Sequence, residues 1–143
     1  MAFLVTKTEP FDKGISTKIK LWFVSLSLII TTPLCGFLFQ CGCDWPWQGL
    51  HFACNHYQPE TINKCPWCAS IFAGSSSIGL AMLVGLRFSL LGCPVSFKSH
   101  ICEIGARTMC GLVFFILVAI FTAVLAAFWQ DYPLGVGQVF NSF

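Results

Sequence analysis

Charge is what this chain has least of. Only 10% of its 143 residues are Asp, Glu, Lys or Arg, where a soluble domain carries about 25%. The formal net charge is +2, with no basic run and no interleaving of basic and aromatic residues. Nucleic acid is excluded as a partner on that ground. There is no internal repeat, no low-complexity tract, no glycine-rich phosphate loop and no Ser–His–Asp pattern, so neither phosphoryl transfer nor serine hydrolysis can be read from it. The two nearest approaches to a glycosylation signal, Asn63-Lys64-Cys65 and Asn141-Ser142-Phe143, both fail.

Apolar residues fill the space that charge leaves. The chain is 56% hydrophobic, carries fifteen Phe and has a mean hydropathy of +0.75. Crossing a bilayer takes roughly 20 residues at about 1.5 Å each. Three stretches are long enough: Ile19 to Phe39, Ala69 to Leu91, and Met109 to Trp129. Each is expected to be a helix, because lipid satisfies no open backbone group. The sequence therefore predicts a single-unit, all-α integral membrane protein with three transmembrane helices. Its parts are a tail (1–18), a first span (19–39), a loop (40–68), a second span (69–91), a second loop (92–108), a third span (109–129) and a C-terminal tail (130–143). The first span reads as a retained helix rather than a removable signal. No small-x-small site follows it, Leu34 precedes Cys35, and Gln40 precedes Cys41.

Basic residues stay on the cytoplasmic side. Lys7, Lys13 and Lys18 precede the first span and Lys20 stands at its very start, and Lys98 and Arg107 lie in the second loop, with Arg87 at its edge. The first loop carries only Lys64, and the C-terminal tail carries no Lys or Arg. The expected orientation is N-terminus inside and first loop outside, in a plasma membrane of the bacterial inner-membrane kind. Trp45, Trp47, Trp67 and Trp129 are expected to anchor the outer interface and Trp22 the inner one. No Asp, Glu or His lies within the three spans, which argues against ion or proton transport. Pro33 is expected to weaken the outer end of the first helix, with Thr31 and Thr32 supplying hydroxyls to freed carbonyls. In the second span, Ala73, Ser77, Ala81 and Gly85 recur every four residues, a smooth face suited to close packing with helix one or three, a partner subunit or a second copy.

The chemistry concentrates in the first loop. Cys41 to Cys68 reads CGCDWPWQGLHFACNHYQPETINKCPWC, with five cysteines, two histidines and three tryptophans in 28 residues. Cys41 and Cys43 form a CxC pair, Cys65 and Cys68 a CxxC pair, with His51, Cys54 and His56 between. Paired cysteines at such spacing are ligands for zinc, and thiolate with imidazole also suits Cu(I), which accepts two or three soft ligands. The first reading is thus a soft-metal site built from Cys41, Cys43, Cys65 and Cys68, with Cys54, His51 and His56 as further ligands.

A second reading is thiol–disulfide exchange by Cys65 and Cys68. CPWC stands where the second helix begins, Pro66 suits a first helical turn, and a helix start beside Lys64 favours the Cys65 thiolate. In these four residues and in its topology the chain resembles the quinone-coupled membrane enzymes that make disulfides, the bacterial disulfide-bond oxidases and the vitamin-K-epoxide reductases. That resemblance implies a membrane-edge CxxC and a second shuttling pair. The chain departs from those families in having three spans where they have four or more. A third reading is a loop stapled by disulfides, which leaves one of five cysteines odd unless Cys35 supplies a sixth. Asp44 and Glu60 read as solvated carboxylates, and no hydrolytic site is predicted. Cys93, Cys102 and Cys110 fall on the opposite, reducing side and read as free thiols.

Overall fold

The structure, a computed structural model, describes residues 13–43, 45, 47, 54–60, 63–91 and 99–138. Lys7, Asp44, His51, Cys93 and Lys98 lie outside the described residues. Among those described, every regular element is helical: α1 (Lys13–Phe39), α2 (Pro66–Ala69), α3 (Ile71–Leu91), α4 (His100–Trp129) and a 3-10 turn at Gly135–Gly137. Helices α1, α3 and α4 are long and apolar enough to cross a membrane.

Two helices reach beyond their apolar runs. Helix α1 begins at Lys13 rather than Ile19, and α4 at His100 rather than Met109. Hydropathy marks only the part of a helix that lipid can cover, and a helix continues into water wherever local pairs support it. At the start of α4 that support is visible. Glu103 sits in the first turn, where the helix dipole favours an acid, and pairs with Arg107 one turn on at 2.8 Å. Arg107 also donates from Nη1 to the Leu90 carbonyl at 3.4 Å, closing off the last turn of α3.

The second apolar stretch is broken where the sequence predicts one helix. Ser70 is extended (φ −118°, ψ 107°) and separates the single turn α2 from α3. Its hydroxyl accepts the Ala73 N–H at 3.3 Å, the capping arrangement of a helix start. The α2 turn leans on α3 at Gly74, where any Cβ would run into the Trp67 carbonyl. Pro33 lies inside a continuous α1, and Thr31 donates to the Ser27 carbonyl at 2.7 Å.

The small-residue face of α3 is taken up within the bundle. Gly74, Ser77, Ala81, Gly85 and Ser89 are buried, while Ala73 is half-buried. Opposite them α4 buries Gly111, Ala119, Ala123 and Ala127. The closest approach is at Gly85 and Gly111. A Cβ on Gly85 would stand 2.7 Å from the Gly111 carbonyl oxygen and 2.6 Å from Cζ of Phe23 on α1. Phe23 fills the junction and meets Phe115 edge-to-face at 6.4 Å. Small residues let backbones come together where lipid offers no hydrophobic drive for association. Ser77, Ala81 and Gly85 of that face are thus packed against the chain's own helices. Large apolar side chains such as Phe37, Phe72, Phe121 and Trp129 are exposed on the outside of the bundle instead.

Candidate metal centre

The site assembles at the end of α1, where the chain folds back on itself. Cys35 lies one turn before the helix stops at Phe39. Gln40 (φ 49°) and Gly42 (φ 76°) then adopt left-handed backbone, which reverses the chain and brings Cys41 and Cys43 back over the last turn. Gly36 makes room for this return, because a Cβ there would occupy the position of the Cys43 carbonyl oxygen. Cys41 Sγ comes within 3.6 Å of the Cys35 carbonyl and 3.8 Å of Cys35 Sγ. From the far side of the loop, Cys65 Sγ lies 3.4 Å from Cys35 Sγ.

The result is two sets of three sulfurs, Cys35–Cys43–Cys68 and Cys35–Cys41–Cys65, each with all its sulfurs within 4.8 Å of one another. Either set can hold a metal ion. All the members are buried except Cys68, which is half-buried. Of the ligands predicted from sequence, Cys41, Cys43, Cys65 and Cys68 come together. Cys54 is buried beside them, and His56 lines the same cleft, but neither belongs to a trio. The sequence pattern leaves Cys35 aside as part of a span, yet it proves to be the sulfur common to both sets. The signal for it was the doubled pattern CGFLFQCGC, in which one Cys-Gly sits at a helix end and a second follows just past the turn.

Asn55 holds the loop closed. Its backbone N–H donates to the Cys41 carbonyl at 2.8 Å, and its side-chain oxygen accepts the Cys65 N–H at 3.3 Å. Its Nδ2 donates to the Asn63 carbonyl at 3.0 Å and meets the Tyr132 hydroxyl at 3.4 Å. Tyr132, beyond the end of α4, donates in turn to the carbonyl of Phe39, the last residue of α1, at 3.0 Å. Gln130 reaches the Pro66 carbonyl at 3.3 Å. Thus one buried amide and the C-terminal segment tie together both cysteine pairs and the helix that carries Cys35. Trp67, expected at the interface, is buried instead and packs edge-to-face on Phe39 at 5.2 Å. Trp45 and Trp47 stay exposed and stack at 5.2 Å.

The cluster divides its protons unevenly. Cys41 and Cys68 are pushed below the usual thiol range, in both cases chiefly by the Cys35 thiol and then by Cys43 and Cys65. At Cys43 and Cys65 the contact with Cys35 favours the thiolate, but Cys41 or Cys68 beside them and burial outweigh it and push both thiols up. Burial raises Cys54. The α2 helix is a single turn, Cys65 is fully buried, and Lys64 is exposed to solvent.

A cleft of about 270 Å³ opens beside the cluster, lined by Cys35, Cys43, Cys54, His56 and Cys68 with Trp67 as part of its wall. His56 Nδ1 is buried without a hydrogen-bond partner. No family model, no curated protein and no solved structure matches this chain. The chemistry of the site is therefore argued from its own side chains.

Proposed function

We propose that this is a small three-span membrane protein that holds a soft metal ion, Cu(I) or zinc, in a thiol cluster on the extracytoplasmic side. It serves as a metal-handling module, or as an accessory or assembly component of a larger membrane complex. The observation that carries the reading is the convergence of Cys35 with both cysteine pairs in a buried pocket. Three thiolates satisfy Cu(I) without help. Zinc asks for a fourth ligand, and Cys54 or His56 in the adjoining cleft is the nearest supply. The excess of Lys and Arg on the N-terminal tail and second loop supports the outward placement of the cluster.

The test is elemental analysis of protein purified under reducing, oxygen-free conditions in mild detergent. At least one Cu or Zn per chain is expected, with less metal retained per chain after Cys65→Ser or Cys68→Ser. A folded, fully reduced chain that takes up neither metal would sink the proposal.

One distance favours a second reading. At 3.4 Å, the Cys35 and Cys65 sulfurs are close enough to join. Oxidation of two thiols to a disulfide releases two protons and two electrons, which a membrane quinone would have to accept. In that case Cys35 is the exchange partner of the Cys65–Cys68 pair. Thiol trapping would catch Cys65 cycling between Cys68 and Cys35, with reoxidation on adding quinone.

A further inference from the structure

Five sulfurs are more than one soft ion uses. Cu(I) takes two or three and zinc takes four. In this protein they form two trios that share Cys35. We infer that the cluster binds two ions, one in each trio, with the Cys35 thiolate bridging them. The inference rests on the soft-metal reading above and extends it to stoichiometry and to the inequivalence of the two positions.

Three observations carry it. The Cys35 sulfur lies within 4.8 Å of the other two sulfurs in both trios, and a thiolate has lone pairs enough to bind two cations. An ion in either trio alone would leave two thiols of the other beside it with no partner among the metal's ligands, both of them buried when the outer trio is the one filled. Bridging also lets two ions share one anion, so the pocket buries one fewer negative charge than two separate three-thiolate sites would, and buried charge is costly.

The positions also differ in access. Cys35, Cys43 and Cys68 line the cleft, whereas Cys41 and Cys65 do not. Cys41 and Cys65 are buried under the Asn55 contacts. The Cys43–Cys68 side is therefore an outer position, open to exchange, and the Cys41–Cys65 side an inner one. Cys54 and the free Nδ1 of His56 stand in the cleft wall on the outer side, where an arriving or departing ion would meet them.

The experiment is native mass spectrometry of the full-length, reduced chain in detergent, titrated with Cu(I) under argon and then challenged with a Cu(I) chelator. Two ions per chain are expected at saturation, with one removed at least tenfold faster than the other. Cys68→Ser, at the half-exposed position, should bind one ion, and that one should be the slowly removed one. Cys41→Ser should bind one that leaves fast. Cys35→Ser should lose the two-ion form altogether. Saturation of the wild type at one ion would overturn the bridge and leave the soft-metal reading standing, as would a Cys35→Ser chain that still holds two. No uptake at all by folded, reduced protein would overturn both. The wild-type stoichiometry alone decides the matter if a variant fails to fold.

Discussion

Cys35 and Cys65 stand 30 positions apart in the chain, yet their sulfurs lie 3.4 Å from each other. One belongs to the last turns of a span and the other to the return of the loop toward the next span. Their meeting means that the cluster is part of the helical bundle, not an appendage on a loop. What stabilises the bundle end also sets the ligand geometry.

The amide of Asn55 should therefore matter more than its loop position implies. Asn55→Ala leaves the Cys65 N–H, the Tyr132 hydroxyl and the Asn63 carbonyl without it. Loss of a buried hydrogen-bonding group costs about 1–3 kcal/mol. Denaturant unfolding in detergent should show a loss of that order. A small maleimide should also label Cys65 faster than in the wild type. Unchanged labelling would mean that the loop is held by other contacts.

Tyr132 predicts a pH dependence. Its phenol is pushed up to about 12, chiefly by burial, against an ordinary value of 10.0. The fold thus prefers the protonated phenol. That contribution is fully present below pH 10 and is lost as pH rises toward 12, through ionisation favoured in the unfolded chain. Tyr132→Phe should be less stable at pH 8 by about 0.5–1.5 kcal/mol, the worth of one hydrogen bond. It should also lack the alkaline loss that the wild type shows between pH 10 and 12. A variant with the same alkaline slope as the wild type would assign that slope to another group.

The glycines of the bundle should sort sharply. Gly85→Val places a methyl-bearing carbon against Phe23 and the Gly111 carbonyl, and overpacking of this kind costs about 1–3 kcal/mol. At Gly79 an added Cβ would meet nothing within 4 Å, so Gly79→Ala should be neutral or slightly stabilising by helix propensity. Thermal melts of both variants in one detergent make the comparison.

Orientation can be read with reporter fusions. A reporter active only outside the cytoplasm should work when fused after Phe143 and fail when fused after Leu91. The reverse pattern would put the thiol cluster in the cytosol and remove the oxidising surroundings that the exchange chemistry requires.

Much of this architecture is visible in the sequence. The apolar runs mark α1, α3 and α4, and Cys41, Cys43, Cys65 and Cys68 announce themselves by spacing. What escapes does so for physical reasons. Cys35 counts as an apolar residue in a hydropathy window, so it is absorbed into a span. Residues His100 to Thr108 are too polar to register as a span, though side-chain pairs such as Glu103–Arg107 extend the helix through them. Trp67 shares a CPWC turn with two cysteines of the cluster, and a tryptophan near a membrane edge ordinarily anchors. Here the single-turn helix directs it onto Phe39. The role of Asn55 depends on partners from 41 to 132, a reach that no local pattern reveals.

The hydroxyl of Tyr132 meets the end of α1 from beyond the end of α4. That sets an order of events during biosynthesis. A nascent chain halted at Leu91 already owns every thiol of both trios, but it lacks the phenol that latches Phe39 and Asn55. The finished pocket therefore waits for the last helix, and on the proposed metal-binding reading an ion captured earlier would sit in an unlatched vestibule from which it could still escape.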